Sequence, residues 1–518
     1  MCGIIAVFNH NPTTCLDQTL KGFDKLNNRG PDCSSIITNE KEFIGFKRLS
    51  INDLTTLGSQ PMIEGDVAMV CNGEIYNHLA ISNNHELHCL SRSDCEVILR
   101  LYIKLGIKET IKNLYGVFAF IIRDGDMVYA VRDRIGVRPL FSGITKDNNF
   151  AFASEAKALI SYCSNIKQVP PASIFTLKIS TNETTLEKYY NLPNTIGSSF
   201  FNDMLKEKLI NAVETRLITD RPVGCLLSGG LDSSVIAAIL NKYLPGKFNT
   251  YSIGMEGSED LRCARIVADY LKTNHTEVIF TAKEGFDIIP SVIFALESFD
   301  ITTIRASVGM YLLAKYISQN TQDKVIFSGE GSDELLCGYL YFHSAPSSEE
   351  LSAESLRLVN NLYLYDILRG DRCVSSNGLE LRVPFLDQQF AEYCLEIPGD
   401  IRKPQAGIEK FILRASFEDW LPKEIAWRTK DGFSDSVSGP KKKWFEQIQE
   451  FVEKLISDSE YKPFSSKFPT KESYYYWKIY NGFFPGFSNP IPEYWMPKWV
   501  DSKDPSGRVL KVYKDLSK

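Results

Sequence analysis

Along the first third of the chain, short apolar runs alternate with polar positions and are broken by Gly, Asn and Asp. Around Val117 to Asp133, GVFAFIIR and MVYAVRD flank the pair Asp124-Gly125, whose conformational freedom suits the tight turn of a β-hairpin. Asn148-Asn149 marks a second turn leading into the strand FAFAS, and EAKALISY after it is predicted to be helical. Between Tyr190 and Ser199 the stretch NLPNTIGSS is short, polar and rich in turn formers, which predicts a linker. Beyond it the period changes. VGCLL, TYSIGM and KVIFS alternate with the helical patterns SSVIAAILNKY and VGMYLLAKYI, an order that predicts parallel α/β architecture.

The chain has 518 residues, whereas single hydrophobic cores stop growing near about 250–300 residues. Two domains are therefore expected, at 2–190 and 200–518. The formal net charge of -6 offers no footprint for a nucleic-acid backbone. The one basic cluster, Lys441 to Lys443 beside Trp444, reads as a solvated helix start. Twelve cysteines are scattered without a CxxC pair, which favours a reducing compartment. The apolar run of MCGIIAVF is too short for a signal sequence and lacks a basic flank, and no stretch of about 18 apolar residues occurs. The expectation is a cytoplasmic protein with neither a nucleic-acid nor a membrane partner; a homodimer is compatible with the sequence but not specified by it.

Cys2 precedes Gly3. A residue this small at position 2 permits removal of Met1, which would leave one residue holding both a thiol and a free α-amine. An α-amine has a pKa of about 7.7–8.0 and can accept the thiol proton near neutrality. A cysteine at position 2 is often only structural, but here it has company: NRGPD (Asn28 to Asp32), RLSIND (Arg48 to Asp53), NGEIYNH (Asn72 to His78) and SDCE (Ser93 to Glu96). Together with MCGIIAVF these resemble the glutamine amidotransferases of the N-terminal-nucleophile class. The resemblance runs to about Tyr190 and implies an αββα sandwich of two antiparallel sheets between helical layers. It makes Cys2 the nucleophile, with Asn72 and the Gly73 N–H as donors to the oxyanion. The glutamine site is implied to comprise Arg48, Leu49, Ser50, Ile51, Asn52, Asn72, Gly73, Glu74 and Asp94, an arginine fork and acids being natural complements of an amino acid's two charges. One departure is visible: Asn28 stands where the family usually has His. No proton transfer is assigned there, so altered packing is expected.

SGGLDSS (Ser228 to Ser234) lies between an apolar run and a helical pattern. A glycine-rich loop opening a helix is an anion nest suited to phosphate, and it lacks the Lys-Ser/Thr ending of a Walker A loop. It resembles the pyrophosphatase loop of enzymes that cleave ATP to AMP and pyrophosphate. A second element, SGEGSDE (Ser328 to Glu334), follows KVIF. The resemblance implies that Leu227, Ser228, Gly229, Gly230, Asp232, Ser233, Ile253, Ser328 and Gly329 bind ATP, and that Glu330 assists formation of an acyl-adenylate. A triphosphate calls for Mg²⁺, held by few carboxylates, and Asp232 and Asp333 are the candidates. No HExxH or clustered His/Cys spacing suggests zinc.

SFDITTIRAS (Ser298 to Ser307), GLELRVPFLD (Gly378 to Asp387), WRTKDGFSD (Trp427 to Asp435) and the tail EYWMPKW (Glu493 to Trp499) resemble the asparagine synthetases specifically, so the likeness covers essentially the whole chain. Lys430 is the cation expected near the phosphate or the adenylate carbonyl. The implied architecture is the αββα sandwich followed by a parallel-sheet adenylate-forming domain with a helical C-terminal part. The implied reaction joins glutamine hydrolysis at Cys2, through a sealed ammonia path, to a β-aspartyl-AMP intermediate made from aspartate and ATP. A β-lactam synthetase-like cyclase shares this architecture but would leave Cys2, Asn72, Gly73 and Asp94 idle. A catalytically silent interaction protein is the alternative of another class.

Overall fold

The computed structural model describes residues 1–9, 12–194, 200–429, 432, 436–487, 491–492, 494–502 and 504–506. Part of the expected linker, 195–199, and Lys430 lie outside the described residues. The chain forms two compact units. One comprises Met1–Leu192 with Thr215–Arg221 and Ser375–Glu380; the other comprises Pro193–Glu214, Pro222–Val374 and Leu381–Lys518.

Among the described residues the first unit contains twelve strands: β1 (Gly3–Phe8), β2 (Cys33–Thr38), β3 (Glu42–Arg48), β4 (Met62–Glu64), β5 (Val67–Ile75), β6 (Gly116–Asp124), β7 (Met127–Arg132), β8 (Phe141–Thr145), β9 (Phe150–Ala153), β10 (Cys163–Gln168), β11 (Ser173–Lys178) and β12 (Glu183–Lys188). They make two six-stranded sheets, ordered β10-β8-β9-β1-β3-β2 and β12-β11-β7-β6-β5-β4. The period-2 pattern decides what each face covers. Ala68, Val70, Ala119 and Ile121 join Ile4, Ala6, Ile44 and Phe46 in a core between the sheets. Their neighbours Met69, Cys71, Phe118, Phe120 and Ile122 turn the other way, onto Ile98, Leu101 and Ile111 of the helix Glu96–Asn113. Across the other sheet, the helix Pro12–Asp24 packs Phe23 edge-on against Phe43, 5.8 Å between centroids. This is the αββα sandwich.

The predicted hairpin is present, with Asp124 paired to Met127 and Gly125 at φ 52°. The helix expected at EAKALISY is not. Only a single 3-10 turn, Ala156–Ala158, forms. Glu155 is held by Arg29 and Lys157 at 2.8 and 2.6 Å, and the chain must enter β10 within five residues, leaving no length for an α-helix.

The second unit holds a sheet in which β13 (Val223–Leu226), β14 (Asn249–Gly254), β15 (Asn274–Ile279) and β16 (Val325–Phe327) run parallel in the order β15-β14-β13-β16. Its helices include Leu231–Tyr243, Glu259–Leu271 and Ile301–Asn320. The basic cluster does precede a helix, Trp444–Leu455, with Trp444 fully buried. C-terminal to the sheet the unit is mostly helical.

The turn after β7 is organised by one carboxylate. Asp133 accepts the backbone N–H groups of Ile135, Gly136 and Val137 on one oxygen, at 3.2, 2.7 and 3.0 Å, and those of Arg138 and Phe118 on the other, at 2.9 and 3.3 Å. It is 2 % exposed. Asp133→Ala would leave these donors buried without an acceptor, and a stability loss of about 3–5 kcal/mol is expected. A drop in the first thermal unfolding transition, measured by calorimetry, checks it; an unchanged transition contradicts this role for Asp133.

Candidate active sites

Cys2 stands immediately before β1, where the β1–β3 register, Gly3 opposite Lys47, carries it to the end of β3. Its thiol donates to Leu49 O at 3.7 Å. Its own carbonyl accepts from Arg29 Nε at 2.9 Å, and Arg29 Nη1 reaches Glu155 at 2.8 Å and Ser375 at 3.0 Å. Arg29 belongs to the NRGPD motif and is 1 % exposed. It ties Cys2 to segments distant in sequence, and no role for it was expected from the sequence. Burial pushes the Cys2 thiol up to about 11, the nearby Glu380 contributing in the same direction, while burial takes the Met1 ammonium down to about 6. Met1, still in place here, donates to Leu379 O at 3.3 Å.

The loop from Leu49 to Asp53 joins the parts of this site. At one end is the Leu49 carbonyl bound by Cys2. Near the other, the Asn52 amide donates to Glu74 at 2.8 Å and to Asp94 at 3.2 Å, and Asp94 also accepts Ile75 N at 2.7 Å. Burial pushes the Asp94 carboxyl up. Ser50 N donates to Asp32 at 2.8 Å, and Ser50 O accepts from Arg221 at 2.8 Å. Ile51 O accepts Asp220 N at 3.0 Å. The Arg48 guanidinium turns beneath the loop onto the carbonyls of Thr55, at 2.5 Å, and of Asp53.

Asn72 and Gly73 lie within β5, opposite Ala119 and Phe118. A Cβ on Gly73 would come within 2.6 Å of Val117 O and 2.8 Å of Phe118 Cα, so close strand approach alone demands glycine there. Asn72 is 0 % exposed, and among the described residues neither its amide oxygen nor its amide nitrogen has a hydrogen-bond partner. Asn28, the departure from the family pattern, is exposed.

In the second unit, β13 runs into the loop Leu227 to Gly230 and the helix Leu231–Tyr243. Gly229 has φ 71°, and a Cβ there would meet Ala264 N at 2.4 Å. Ser228 and Ser233 hydroxyls bond each other at 3.1 Å, and Gly230 N donates to Ser228 Oγ at 3.3 Å. Gly230 caps the helix without a side-chain hydrogen bond, leaving a helix N-terminus facing a cleft lined by Leu227, Ile253, Ser328, Glu330, Asp333 and Tyr339 among others. Gly329 presses on this helix start, where a Cβ would lie 2.9 Å from Asp232 Cβ and 3.1 Å from Ser233 N.

Charged groups line that cleft in two sets. Lys410, 1 % exposed, bonds Asp232 at 2.5 Å and Asp333 at 2.6 Å, and Ser332 Oγ donates to Asp232 at 2.7 Å. Arg369 bonds Glu330 at 3.1 Å and Asp366 at 2.8 Å, while Tyr339 Oη donates to Glu334 at 2.6 Å and to Asp366 at 3.1 Å. Burial, then the charges of Asp366 and Asp333, push Glu334 up to about 8. Arg428 bonds Gly229 O at 3.3 Å and Asp260 at 3.1 Å, and Asp260 also accepts from Ser436 at 2.6 Å.

The sequence reading missed Lys410, Asp366, Arg369 and Arg428, and gave Glu334 no role. Lys410 and Arg369 sit in ordinary helical text, GIEKFILR and YDILRGDR, with no local signal of their meeting. Lys430, the cation expected here, lies outside the described residues. Among these residues no group of three or more His, Cys, Asp or Glu side chains is placed to hold a metal ion.

A cysteine at the head of an αββα sandwich, and a glycine-rich loop before a helix in a parallel sheet, fit an amidotransferase joined to an adenylate-forming ligase. The comparisons name the same two classes along the chain. The family of the glutamine amidotransferase domain matches residues 1–203, and that of asparagine synthase matches 204–358 and 346–484. The chain is 44% identical over 563 residues to the glutamine-hydrolysing asparagine synthetase of Rattus norvegicus and 43% identical to that of Homo sapiens, each covering all of both chains. The Gallus gallus enzyme is 43% identical over 99% of both. The chain belongs to the glutamine-hydrolysing asparagine synthetases.

Arg29 offers a test of how Cys2 is held. Arg29→Met keeps the bulk and leaves Glu155 paired to Lys157, but frees the Cys2 carbonyl. Glutamine hydrolysis is expected to fall at least about tenfold, since small displacements of a reacting group carry such costs. Arg29→Lys, which lacks the planar fork, should recover little. Glutaminase assays on folded variants decide this, and wild-type rates in both remove Arg29 from the role.

Proposed function

We infer that this chain makes asparagine in two half-reactions, one in each unit, with glutamine, aspartate and ATP as substrates. The observation that carries the first is Asn72. A buried amide left without partners costs about 1–3 kcal/mol for each orphaned group, and a bound oxyanion, accepting from Nδ2, would offset the donor's share. Removal of Met1 would give Cys2 the free α-amine that takes its thiol proton. The thiolate attacks the glutamine side-chain carbonyl carbon, Asn72 Nδ2 and the Gly73 N–H donate to the developing oxyanion, and the protonated amine returns its proton to the departing ammonia. Water then releases glutamate from the thioester. Glu74, Asp94 and the loop Leu49 to Asn52, shaped from below by Arg48, are the proposed seat of the amino-acid end of glutamine.

In the second unit an oxygen of the aspartate side-chain carboxylate attacks the α-phosphorus of ATP and pyrophosphate leaves. Ammonia then attacks the activated carbonyl and AMP departs. Ser228, Gly229, Gly230, Ser233, Ser328 and Gly329 form the proposed phosphate cradle, with Leu227 and Ile253 at the base and ribose. Lys410 would neutralise charge on the leaving pyrophosphate, whereas the resemblance put Lys430 near the phosphate or the adenylate carbonyl. Arg369 aims Glu330 into the cleft. Asp232 and Asp333, two carboxylates converging on one cation, match the few-carboxylate set that Mg²⁺ takes beside substrate phosphates; there it would supply further charge neutralisation. Glu334 and Asp366 are the proposed acceptors of the aspartate α-ammonium. The described cysteines are free thiols, which suits a reducing compartment, and we place the enzyme in the cytosol.

Two measurements test this reading. Cys2→Ala is expected to abolish synthesis from glutamine and to leave synthesis from ammonium salts within about twofold, because external ammonia bypasses the thioester; glutamine-dependent synthesis at the normal rate would refute the nucleophile. The second is a pH profile. A proton held on Glu334 below about 8 must leave before the carboxylate accepts an ammonium, so the KM for aspartate should fall as pH rises toward that value and then level. Glu334→Gln should raise that KM and flatten the profile. An unchanged KM and slope in the variant would remove Glu334 from the aspartate site.

A further inference from the structure

The tail motif EYWMPKW has no place in either half-reaction, yet Trp495 lines the same cleft as Glu334, Asp366 and Tyr339. We propose that Trp495 is a positioning residue for aspartate, carried to the site by a C-terminal strap formed by residues 494–502 and 504–506. The inference rests on the reading that Glu334 and Asp366 receive the aspartate ammonium.

The Trp495 ring packs on Tyr339 at 5.5 Å between centroids and edge-on against Tyr341 at 6.0 Å. Tyr339 is the hydroxyl that donates to both Glu334 and Asp366. A phenol seated against an indole is restricted in its rotation, and the donor shared by the two carboxylates is restricted with it. Trp495 thus acts on the substrate's acceptors through Tyr339 as well as walling the cleft.

The strap is fastened at both ends to the helix Ile301–Asn320, whose Thr302, Ala306 and Met310 face the cleft. Asp300, 0 % exposed, caps this helix with one oxygen, accepting Thr303 N at 2.9 Å and Thr303 Oγ1 at 2.7 Å. With the other it accepts Trp495 N at 3.1 Å. At the far end Asp504 takes a two-pronged bond from Arg305, 2.8 Å on each oxygen, and a third from Gln449 at 2.8 Å. Arg305 is 3 % exposed and also bonds Glu472 at 2.8 and 2.7 Å. A shielded, forked pair of this kind has more hold than an exposed one. Between the anchors Trp499 packs on Tyr341 and Phe342 at 5.9 and 6.1 Å. A surface tail would need none of these bonds; a wall of the substrate site would.

The test uses the full chain and ammonia-dependent synthesis, with KM for aspartate, KM for ATP and kcat measured separately. Trp495→Ala is expected to raise the aspartate KM at least about tenfold with the ATP KM within about twofold, and Trp495→Phe to recover most of the loss. Asp504→Ala, which unfastens the strap away from the cleft, should move the aspartate KM in the same direction, and it keeps the test open if Trp495→Ala fails to fold. An aspartate KM within twofold of wild type in folded Trp495→Ala or, failing that, Asp504→Ala overturns the proposal. So does a parallel rise in both KM values, or a Phe variant no better than Ala. Glu334→Gln, run alongside, separates the two ideas: a raised aspartate KM there with none in the strap variants sinks the strap alone, whereas a raised KM in the strap variants with none in Glu334→Gln overturns the carboxylate assignment and with it the route through Tyr339.

Discussion

One buried ammonium organises the synthetase unit. Lys410 is shared by Asp232 and Asp333, so it joins the helix after the first glycine-rich loop to the acidic turn after the second. Removing a charge of this kind from water is costly unless partners surround it, and the neighbouring chain is shaped to admit it. A Cβ on Gly338 would sit 1.9 Å from Lys410 Cε. Lys410 itself holds φ 54°, a left-handed conformation that costs a side-chain-bearing residue about 1–2 kcal/mol, which two short ion pairs can offset. The arrangement sets a cation beside the proposed phosphate nest.

The two units answer different electrostatic demands. At Cys2 the surroundings disfavour charge: burial raises the thiol and lowers the amine at the chain start, so a proton must move within the site for the nucleophile to form. In the synthetase cleft charge is abundant and paired, Lys410 with two aspartates and Arg369 with Glu330 and Asp366. In the proposed reading a substrate carrying phosphates and an ammonium exchanges with those partners, whereas a neutral glutamine amide meets the uncommitted Asn72 amide.

The loops proposed to touch substrate were legible in the sequence because backbone geometry forces their composition. Gly73, Gly229 and Gly329 are each required by contacts that a Cβ would violate, and such constraints show as motifs. The two antiparallel sheets were legible from short apolar runs broken by tight turns, since β5 and β6 bury both faces and so stay apolar over most of their length. What long-range folding supplies was not legible. Lys410, Arg369 and Asp366 are single charges in helical stretches, and their meeting depends on the tertiary path alone. The segments Thr215–Arg221 and Ser375–Glu380 belong to the first unit although they follow its last strand, β12, by more than a linker, and no local signal marks them. EAKALISY failed as a helix because helical composition cannot outweigh a buried acid already claimed by Arg29 and Lys157.

The central claim, that paired charges in the second unit drive adenylate formation, is tested most directly by aspartate-dependent exchange of labelled pyrophosphate into ATP. Lys410→Met keeps the length and removes the ammonium that the departing pyrophosphate would meet. The account predicts that exchange falls at least about a hundredfold, in line with losses seen when a preorganised charge-stabilising group is deleted, while glutamine hydrolysis in the same preparation persists. Exchange within a few-fold of the unaltered enzyme, in a folded variant, would contradict it.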